Sequence, residues 1–173
     1  MTEEEKMLAG ELYDANYNKE LFEKRIYAKE LCKEFNDCNV RNLEEKKSIL
    51  EKLFQKRIDT VLIEPNFYCD YGFNIHLGKN FYSNHNNVFI GPNCGFYTSG
   101  HPLDYKTRNK GLEYAKPIKV GNNVWFGGNV CVLPGVTIWD NVVIGAGSVV
   151  NKDIPSNVVA VGNPCKVVKE ILE

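Results

Sequence analysis

A six-residue period in the second half of the chain constrains its fold more than any other feature. From residue 120 to residue 150 every sixth position is Val, Ile or Phe, and the positions four residues later are almost all apolar. The two sets are Val120, Phe126, Val132, Ile138, Ile144 and Val150, and Val124, Val130, Val136, Val142, Ser148 and Ile154. This period is typical of a parallel β-helix, in which each six-residue rung supplies one short strand and one turn. Three rungs would close one coil, and stacked coils would share a core.

An antiparallel sandwich with evenly spaced strands is the alternative fold. Sandwich strands alternate apolar and polar residues and turn about every 8–12 residues, which fits a strict six-residue phase poorly. Four earlier segments resemble further rungs, namely Ile63, Ile75, Leu77-Gly78 and Ile90-Gly91. The sequence therefore predicts a mainly β protein with a β-helix over residues 58–173.

Residues 1–57 have a different rhythm, which predicts a helical cap. Two segments, Lys19–Phe35 and Leu43–Phe54, place their apolar residues close to helical spacing. Asn42, followed three residues later by Glu45, has the pattern of a helix N-cap. We expect two or three short helices in this part of the chain and no strand.

Two segments interrupt or end the repeat. Between His101 and Pro117 the period disappears and the chain becomes polar, which predicts an extended loop over residues 101–117. Long loops in compact domains are usually functional. At the other end, Lys166–Glu173 is expected to form a short closing helix.

Composition narrows the classes of function. Lys and Arg number 21 and Asp and Glu number 22, without the basic excess that is typical of nucleic-acid-binding proteins. No apolar run exceeds four residues, whereas a membrane span needs about 20. The acidic N-terminus lacks the apolar segment of a secretory signal, and the six cysteines form no CxxC pair. We therefore expect a cytoplasmic protein with reduced thiols and neither a nucleic-acid nor a membrane partner.

Several stretches give the chain a specific resemblance to a known family. They are Lys6–Asp14, Asn93–Asp104 with its Gly-His-Pro sequence, Ile144–Val150, and the Asn-Pro-Cys sequence at 163–165. Together with the hexapeptides they resemble the sugar O-acetyltransferases, which include the maltose, galactoside and nodulation-factor acetyltransferases. The resemblance covers essentially the whole chain. It implies a left-handed coil, a homotrimer, acetyl-CoA in a groove between subunits, a sugar hydroxyl as acceptor and no required metal.

The chemistry of such a transfer needs a base. A sugar hydroxyl is a weak nucleophile, and histidine suits the role of general base near neutral pH. The resemblance makes His101 the catalytic histidine and Asn84 a contact of the acceptor and the reacting centre. Asp14 and Asp70 correspond to sugar contacts. The structural alternatives are a loop histidine for His101 and turn residues for the two aspartates.

The remaining candidates correspond to positions that contact the coenzyme in this family. Lysines suit the phosphates of the coenzyme, since charge-assisted hydrogen bonds are strong. For Trp125, the alternative is a structural role as an outward aromatic side chain packed on the loop. The full set is Trp125, Gly128, Ala146, Asn151, Lys152, Lys166 and Lys169.

The chain departs from the family pattern at one place. Relatives carry a longer run between Asn86 and Asn87, and about 13 residues are missing here, against about 18 in a whole coil. The missing run includes an acidic residue that contacts substrate in the family. Either the coil is locally irregular at this point or the chain lacks a segment.

Three other functions stay open. The acceptor could be an antibiotic or serine, although the maltose-type cap argues against both. A zinc hydratase on the same fold needs three converging histidines, and this chain has His76, His85 and His101. A non-catalytic β-helix could serve as an assembly scaffold.

Overall fold

The computed structural model describes residues 1–58, 63–76 and 88–172. The helices are α1 (Glu3–Ala9), α2 (Lys19–Asp37), α3 (Leu43–Phe54) and α4 (Tyr105–Arg108), with a 3₁₀ turn at Gly72–Asn74. The strands are β1 (Tyr13–Asp14), β2 (Val88–Ile90), β3 (Gly95–Phe96), β4 (Ser99–Gly100), β5 (Leu112–Ala115), β6 (Lys119–Val120), β7 (Val124–Phe126), β8 (Cys131–Val132), β9 (Thr137–Ile138), β10 (Val142–Ile144), β11 (Val149–Val150), β12 (Val158–Val161) and β13 (Lys166–Glu170).

The repeat folds into three stacks of short parallel strands. The first stack joins β2, β7, β10 and β12 side by side, the second joins β3, β8 and β11, and the third joins β6 and β9. Val124 pairs with Val142, eighteen residues later, and Cys131 pairs with Val149 at the same separation. These registers confirm the predicted coil of three six-residue rungs. The last coil is two residues shorter, because Val142 pairs with Val158.

Both apolar sets of the repeat point into the core. Five members of the first set are fully buried, and every member of the second set is at most 3% exposed, including Ser148. The Ser148 hydroxyl donates to the Gly145 carbonyl oxygen at 2.6 Å and accepts from the Gly162 N–H at 3.0 Å. Its burial is therefore compensated by hydrogen bonds. Val120 departs from the prediction at 37% exposed, since its short strand pairs only with β9 in the described structure.

Asparagines form the corners of the coil. Asn123, Asn141 and Asn157 occupy equivalent turns and have φ angles of 56°, 56° and 62°. Asparagine tolerates this left-handed region better than other residues with a Cβ, apart from aspartate. The Asn141 side-chain amide also donates to the Asn157 side-chain oxygen at 2.8 Å, so successive corners are bonded to each other. The asparagines that accompany the hexapeptides are thus part of the coil geometry.

Close backbone approach explains a glycine that follows the first apolar set. The Gly127 N–H donates to the Ile144 carbonyl oxygen at 2.8 Å, which brings two coils together. A Cβ at Gly127 would lie 2.5 Å from the Ala146 nitrogen, closer than packed atoms can approach. Any larger residue at this position would have to separate the two coils.

The helical cap packs mainly on itself. Helices α2 and α3 bury one shared cluster, made of Ala28, Leu31, Cys32, Phe35, Ile49, Leu50, Leu53, Phe54, Ile58 and Ile63. The prediction of Asn42 as an N-cap is confirmed, because its side-chain oxygen accepts from the Glu45 N–H at 3.3 Å. Ile63 and Ile75, expected as solenoid rungs, pack against this cap cluster instead. The proposed rung at residues 77–78 lies outside the described residues, as does most of the segment next to the expected shortfall after Asn86.

Three further expectations from the sequence were wrong. The cap contains a strand, β1, and the loop over residues 101–117 contains helix α4 and strand β5. The C-terminal segment is strand β13, which pairs antiparallel with β12 and was expected to be a helix. Tertiary pairing explains the errors: β1 pairs with β5, and β13 covers the exposed edge of the first stack, where unpaired N–H and C=O groups are available.

The asparagine corners allow a direct test of the coil geometry. Asn141→Ala should destabilise the protein by about 1–2 kcal/mol more than Asn141→Gly, because alanine resists the left-handed conformation that glycine accepts. Both variants lose the bond to Asn157, so glycine is the matched control. Urea unfolding measures the difference, and equal losses would show that the corner conformation is not the constraint.

Candidate active site

A small antiparallel sheet joins the cap to the loop that follows β4. Strand β5 lies between β1 from the cap and β4 from the solenoid. Gly100 pairs with Tyr114, and Tyr13 pairs with Glu113. His101 comes directly after β4, so this pairing places it beside Leu112 and Glu113 and close to the cap.

The surroundings of His101 favour one tautomer. Its Nδ1 atom lies 3.4 Å from the Leu112 carbonyl oxygen, which can only accept a hydrogen bond. The contact therefore favours the form with the proton on Nδ1 and a free lone pair on Nε2. Nε2 lies 3.6 Å from Glu113 Oε1, beyond ordinary hydrogen-bond distance, and the side chain is 53% exposed. An incoming group can reach Nε2, and the nearby carboxylate would stabilise the ring once it is protonated.

Glu113 is a site residue that the sequence analysis missed. It is largely buried, and its Oε2 atom accepts a hydrogen bond from the Tyr13 hydroxyl at 3.3 Å. Both Glu113 and Tyr13 sit in strands that were expected to be loop and helical cap. The run Leu112–Ala115 does not alternate polar and apolar residues, so the sequence gives no clear signal for this strand.

Asp14 has a structural role in a turn beside this site. Its Oδ1 atom accepts from the N–H groups of Asn16 at 3.1 Å and Tyr17 at 2.8 Å. Its own N–H donates to Glu3 Oε2 at 2.5 Å, and it pairs with Leu112 across β1 and β5. Asp14 is therefore close to the backbone that contacts His101, with one carboxylate oxygen already engaged.

Asp70 is near the same site, because its charge, like that of Glu113, raises the pKa of Tyr13. The Asn36 side chain fixes the preceding segment by bonding both the N–H and the carbonyl oxygen of Phe67, at 2.8 and 3.0 Å. Asp70 itself is exposed, and its Oδ1 atom is 3.6 Å from Lys29 Nζ. Burial raises the pKa of Tyr71, and the negative charges of Asp70 and Glu113 also raise it, against the positive charge of Arg25. Asp70 and Glu113 therefore act on one shared neighbour.

The coenzyme candidates occupy several positions around the coil. Gly128 and Ala146 lie in equivalent turns after β7 and β10, whereas Asn151 and Lys152 lie in the turn after β11. Trp125 is 54% exposed on the outer face of the first stack. Lys169 pairs with Val159 in the same sheet, and Lys166 begins the same edge strand. Asn84 and His85 lie outside the described residues.

Comparison with known proteins identifies the family. The maltose acetyltransferase hexapeptide capping motif matches residues 6–57, and six repeats of the bacterial transferase hexapeptide match residues 117–152. The galactoside O-acetyltransferase of Escherichia coli K12 is 43% identical over 180 residues, covering 96% of this chain and 88% of the relative. The chain belongs to the hexapeptide-repeat acetyltransferases that carry the maltose acetyltransferase cap.

Other relatives agree with this assignment. A Staphylococcus aureus (strain MRSA252) protein named as an acetyltransferase, SAR2635, is 52% identical over 184 residues, 99% of this chain and 92% of the relative. A maltose O-acetyltransferase from Clostridium difficile 630 superposes with a TM-score of 0.92 at 46% identity, covering 100% of this chain and 99% of that one. The 184 aligned positions exceed the 173 residues of this chain by eleven. This relative therefore contains residues without a counterpart here.

Two solved relatives were determined with coenzyme. A galactoside acetyltransferase in complex with coenzyme A has a TM-score of 0.84 at 41% identity, with 99% of this chain and 92% of that chain covered. A hexapeptide-repeat-containing acetyltransferase from Vibrio cholerae O1 biovar eltor, complexed with acetyl coenzyme A, has a TM-score of 0.88 at 33% identity and covers both chains fully.

Neither a metal-ligand cluster nor a membrane-spanning helix occurs in the part of the chain that the structure describes. Within residues 1–58, 63–76 and 88–172, no group of three His, Cys, Asp or Glu side chains is arranged to hold a metal ion. His85, which the zinc alternative requires, is not among these residues. None of the described helices is long and apolar enough to span a membrane.

Proposed function

We propose that this protein transfers an acetyl group from acetyl-CoA to a sugar hydroxyl, with His101 as the general base. The observation that carries the proposal is the accessible Nε2 atom of His101. It faces a carboxylate, while Nδ1 contacts the Leu112 carbonyl. The coenzyme complexes of the solved relatives support acetyl-CoA as the donor. The names of the maltose and galactoside relatives support a sugar as the acceptor.

The geometry suits a single base that acts twice. Nε2 of His101 takes the hydroxyl proton as the sugar oxygen attacks the thioester carbonyl carbon. The resulting tetrahedral intermediate collapses with cleavage of the carbon–sulfur bond, and the imidazolium returns the proton to the thiolate. The products are the sugar acetate and coenzyme A. Glu113 stabilises the imidazolium between the two proton transfers, because its carboxylate lies 3.6 Å from Nε2.

His101→Ala should lower kcat by about 10²–10⁴-fold, because it removes the base and none of the proposed coenzyme contacts. Acetyl-CoA affinity and the mass of the assembly should stay nearly unchanged. His76→Ala is the control, since the ring of His76 contacts Lys56, whereas the ring of His101 contacts Leu112 and Glu113. Steady-state rates measured by thiol release decide the matter, and a His101→Ala variant that keeps more than about a tenth of the wild-type rate would exclude His101 as the base.

The acceptor site is proposed at Asp14, Asp70 and Asn84. Carboxylate oxygens accept hydrogen bonds from sugar hydroxyls, and Asp14 and Asp70 lie near the partners of His101. A thiol-release assay with maltose, glucose, galactosides, serine and aminoglycosides identifies the acceptor class. Turnover with only serine or an antibiotic would show that the acceptor is not a sugar. No turnover with any acceptor would favour a non-catalytic scaffold.

Coenzyme binding is proposed along Trp125, Gly128, Ala146, Asn151, Lys152, Lys166 and Lys169. Gly128 and Ala146 have little or no side chain to keep a ligand away from the backbone of their turns, and Lys152, Lys166 and Lys169 are exposed. The pantetheine and phosphates would extend from the reacting thioester along this surface.

Replacing Lys166 and Lys169 together by alanine should weaken acetyl-CoA binding by about ten-fold or more, since each charged phosphate contact is strong. Lys19→Ala with Lys52→Ala removes the same charge from exposed positions of the cap and serves as the control. Isothermal titration at low salt measures both affinities. Unchanged binding in the first double variant would remove these lysines from the site.

A homotrimer is proposed because the first stack has an apolar outer face. The paired registers align Phe89, Trp125, Val143 and Val159 as neighbours across four parallel strands. Phe89 and Trp125 are 38% and 54% exposed, and large aromatics on a surface are typical of protein interfaces. A second subunit against this face would also enclose a groove beside Trp125 and Lys169.

Light scattering should give three times the 19.7 kDa chain mass. Val143→Asp should reduce this mass, because it introduces a charge into the apolar face, whereas Val149→Asp on the second stack should not. A wild-type mass of one chain at micromolar concentration would contradict the trimer, and an intact Val143→Asp trimer would move the interface to another face.

The remaining parts of the proposal concern organisation. As the family resemblance implies, we propose a cap over residues 1–57, a left-handed coil, and a solenoid over residues 58–173 whose first apolar residues, among them Ile63 and Ile75, pack on the cap; an experimental structure tests all three. A cytoplasmic location is also proposed, and the six cysteines, all free thiols in the structure, agree with a reducing compartment.

A further inference from the structure

We infer that Tyr13 of the cap is a positioning residue for the reaction, which orients Glu113 and through it the imidazole of His101. The inference rests on the proposed role of His101 and assigns the cap a part in the chemistry. It starts from the chain of contacts that runs from the Tyr13 hydroxyl through the two oxygens of Glu113 to Nε2 of His101.

Strand pairing sets this chain of contacts. Tyr13 and Glu113 are directly opposite in the antiparallel pair of β1 and β5, and such side chains lie on the same face of the sheet. The Tyr13 hydroxyl is 3.3 Å from Oε2, and Oε1 is 3.6 Å from Nε2 of His101. The two oxygens of one carboxylate thus face two different partners, so a rotation that loses one partner also displaces the other.

Burial fixes the tyrosine in place. Tyr13 is 2% exposed and belongs to a cluster with Met7, Ala15 and Leu21, against which Tyr71, Phe73 and Ala115 also pack. Burial raises the pKa of Tyr13, and the charge of Glu113 raises it further, so the phenol keeps its proton and acts as a donor to the carboxylate. A phenylalanine would fill the same space without giving Glu113 a donor.

The position of β1 is itself secured at the turn that follows it. The Asn16 side-chain amide donates to the Gly111 carbonyl oxygen at 3.0 Å, just before β5 begins. Asp14 holds the same turn through the N–H groups of Asn16 and Tyr17. The cap therefore presents the Tyr13 hydroxyl to Glu113 from a backbone that is bonded to the segment over residues 101–117 at Gly111, just beyond the Asp14–Leu112 pair.

A role through Glu113 predicts a specific kinetic pattern. Among the described residues, the hydrogen bond of the Tyr13 hydroxyl goes to Glu113 and to none of the proposed acceptor or coenzyme residues, so its loss should affect kcat and leave both KM values within about two-fold. The hydrogen bond is long at 3.3 Å and acts on His101 only through Glu113, so its loss is expected to lower kcat by about three- to ten-fold, less than the full strength of a bond to a charged group would give. Because the effect passes through Glu113, it should disappear once Glu113 has been replaced.

The experiment compares Tyr13→Phe, Glu113→Gln and the double variant in the full-length protein, with acetyl-CoA and the preferred sugar. We expect Tyr13→Phe to lower kcat, Glu113→Gln to lower it at least as much, and the double variant to match Glu113→Gln alone. Tyr71→Phe is the matched control: its hydroxyl is buried in the same region but makes no hydrogen bond, so kcat should not change. Thermal unfolding of each variant verifies that the fold is retained.

Three results would overturn the inference. The first is a wild-type kcat for Tyr13→Phe, and the second is a wild-type kcat for Glu113→Gln. The third is a double variant whose loss of kcat equals the product of the two single losses, because two independent structural defects would give that result. None of these results touches the proposed function, which fails separately if His101→Ala remains active.

Discussion

Stacking of backbone on backbone at an eighteen-residue interval is the constraint on which the rest of this structure depends. Each strand of two or three residues is too short to be stable alone, and it is held by the equivalent strand one coil away. The interval requires corners that turn sharply without breaking the ladder. Asparagines with positive φ provide these corners, and Gly127 allows two coils to approach closely. Inward residues then fall into columns, and the core of the solenoid follows.

The candidate active site is built where the chain leaves this regular coil. The segment after β4 departs from the solenoid, forms α4 and returns as β5, which pairs with β4 on one side and with β1 of the cap on the other. His101 lies at the point of departure, and its two ring nitrogens face Leu112 and Glu113 of the returning strand. The solenoid holds the backbone that precedes His101. The segment over residues 101–117 supplies the groups that contact the His101 ring. The cap completes the arrangement through β1.

The residues that we propose to carry the reaction come from the cap and from the segment after β4, and not from the hexapeptide repeats. Hexapeptide coils give a scaffold, whereas the cap and the excursion distinguish this chain from a bare coil. The match of the capping motif to residues 6–57 and the match of the repeats to residues 117–152 lie on either side of the His101 segment. The residues that we propose to carry the reaction, His101 and Glu113, thus lie between the two matched regions. The third, Tyr13, lies inside the cap and reaches them by strand pairing.

The sequence alone determined the β-helix and the helical character of the cap, and its resemblance to a known family made His101 the candidate base. The repeat could be interpreted because a buried position recurs every six residues. This spacing is set by residues that are close together in the sequence, so the sequence alone shows it. Other features were decided only in the tertiary structure. Strand β1 forms because β5 lies beside it, and β13 is a strand and not a helix because β12 offers an unpaired edge. Glu113 and Tyr13 are one hundred residues apart and meet only through that pairing. Periodicity predicts which residues face a core. It does not predict which distant strand will pair with a short segment that has no period.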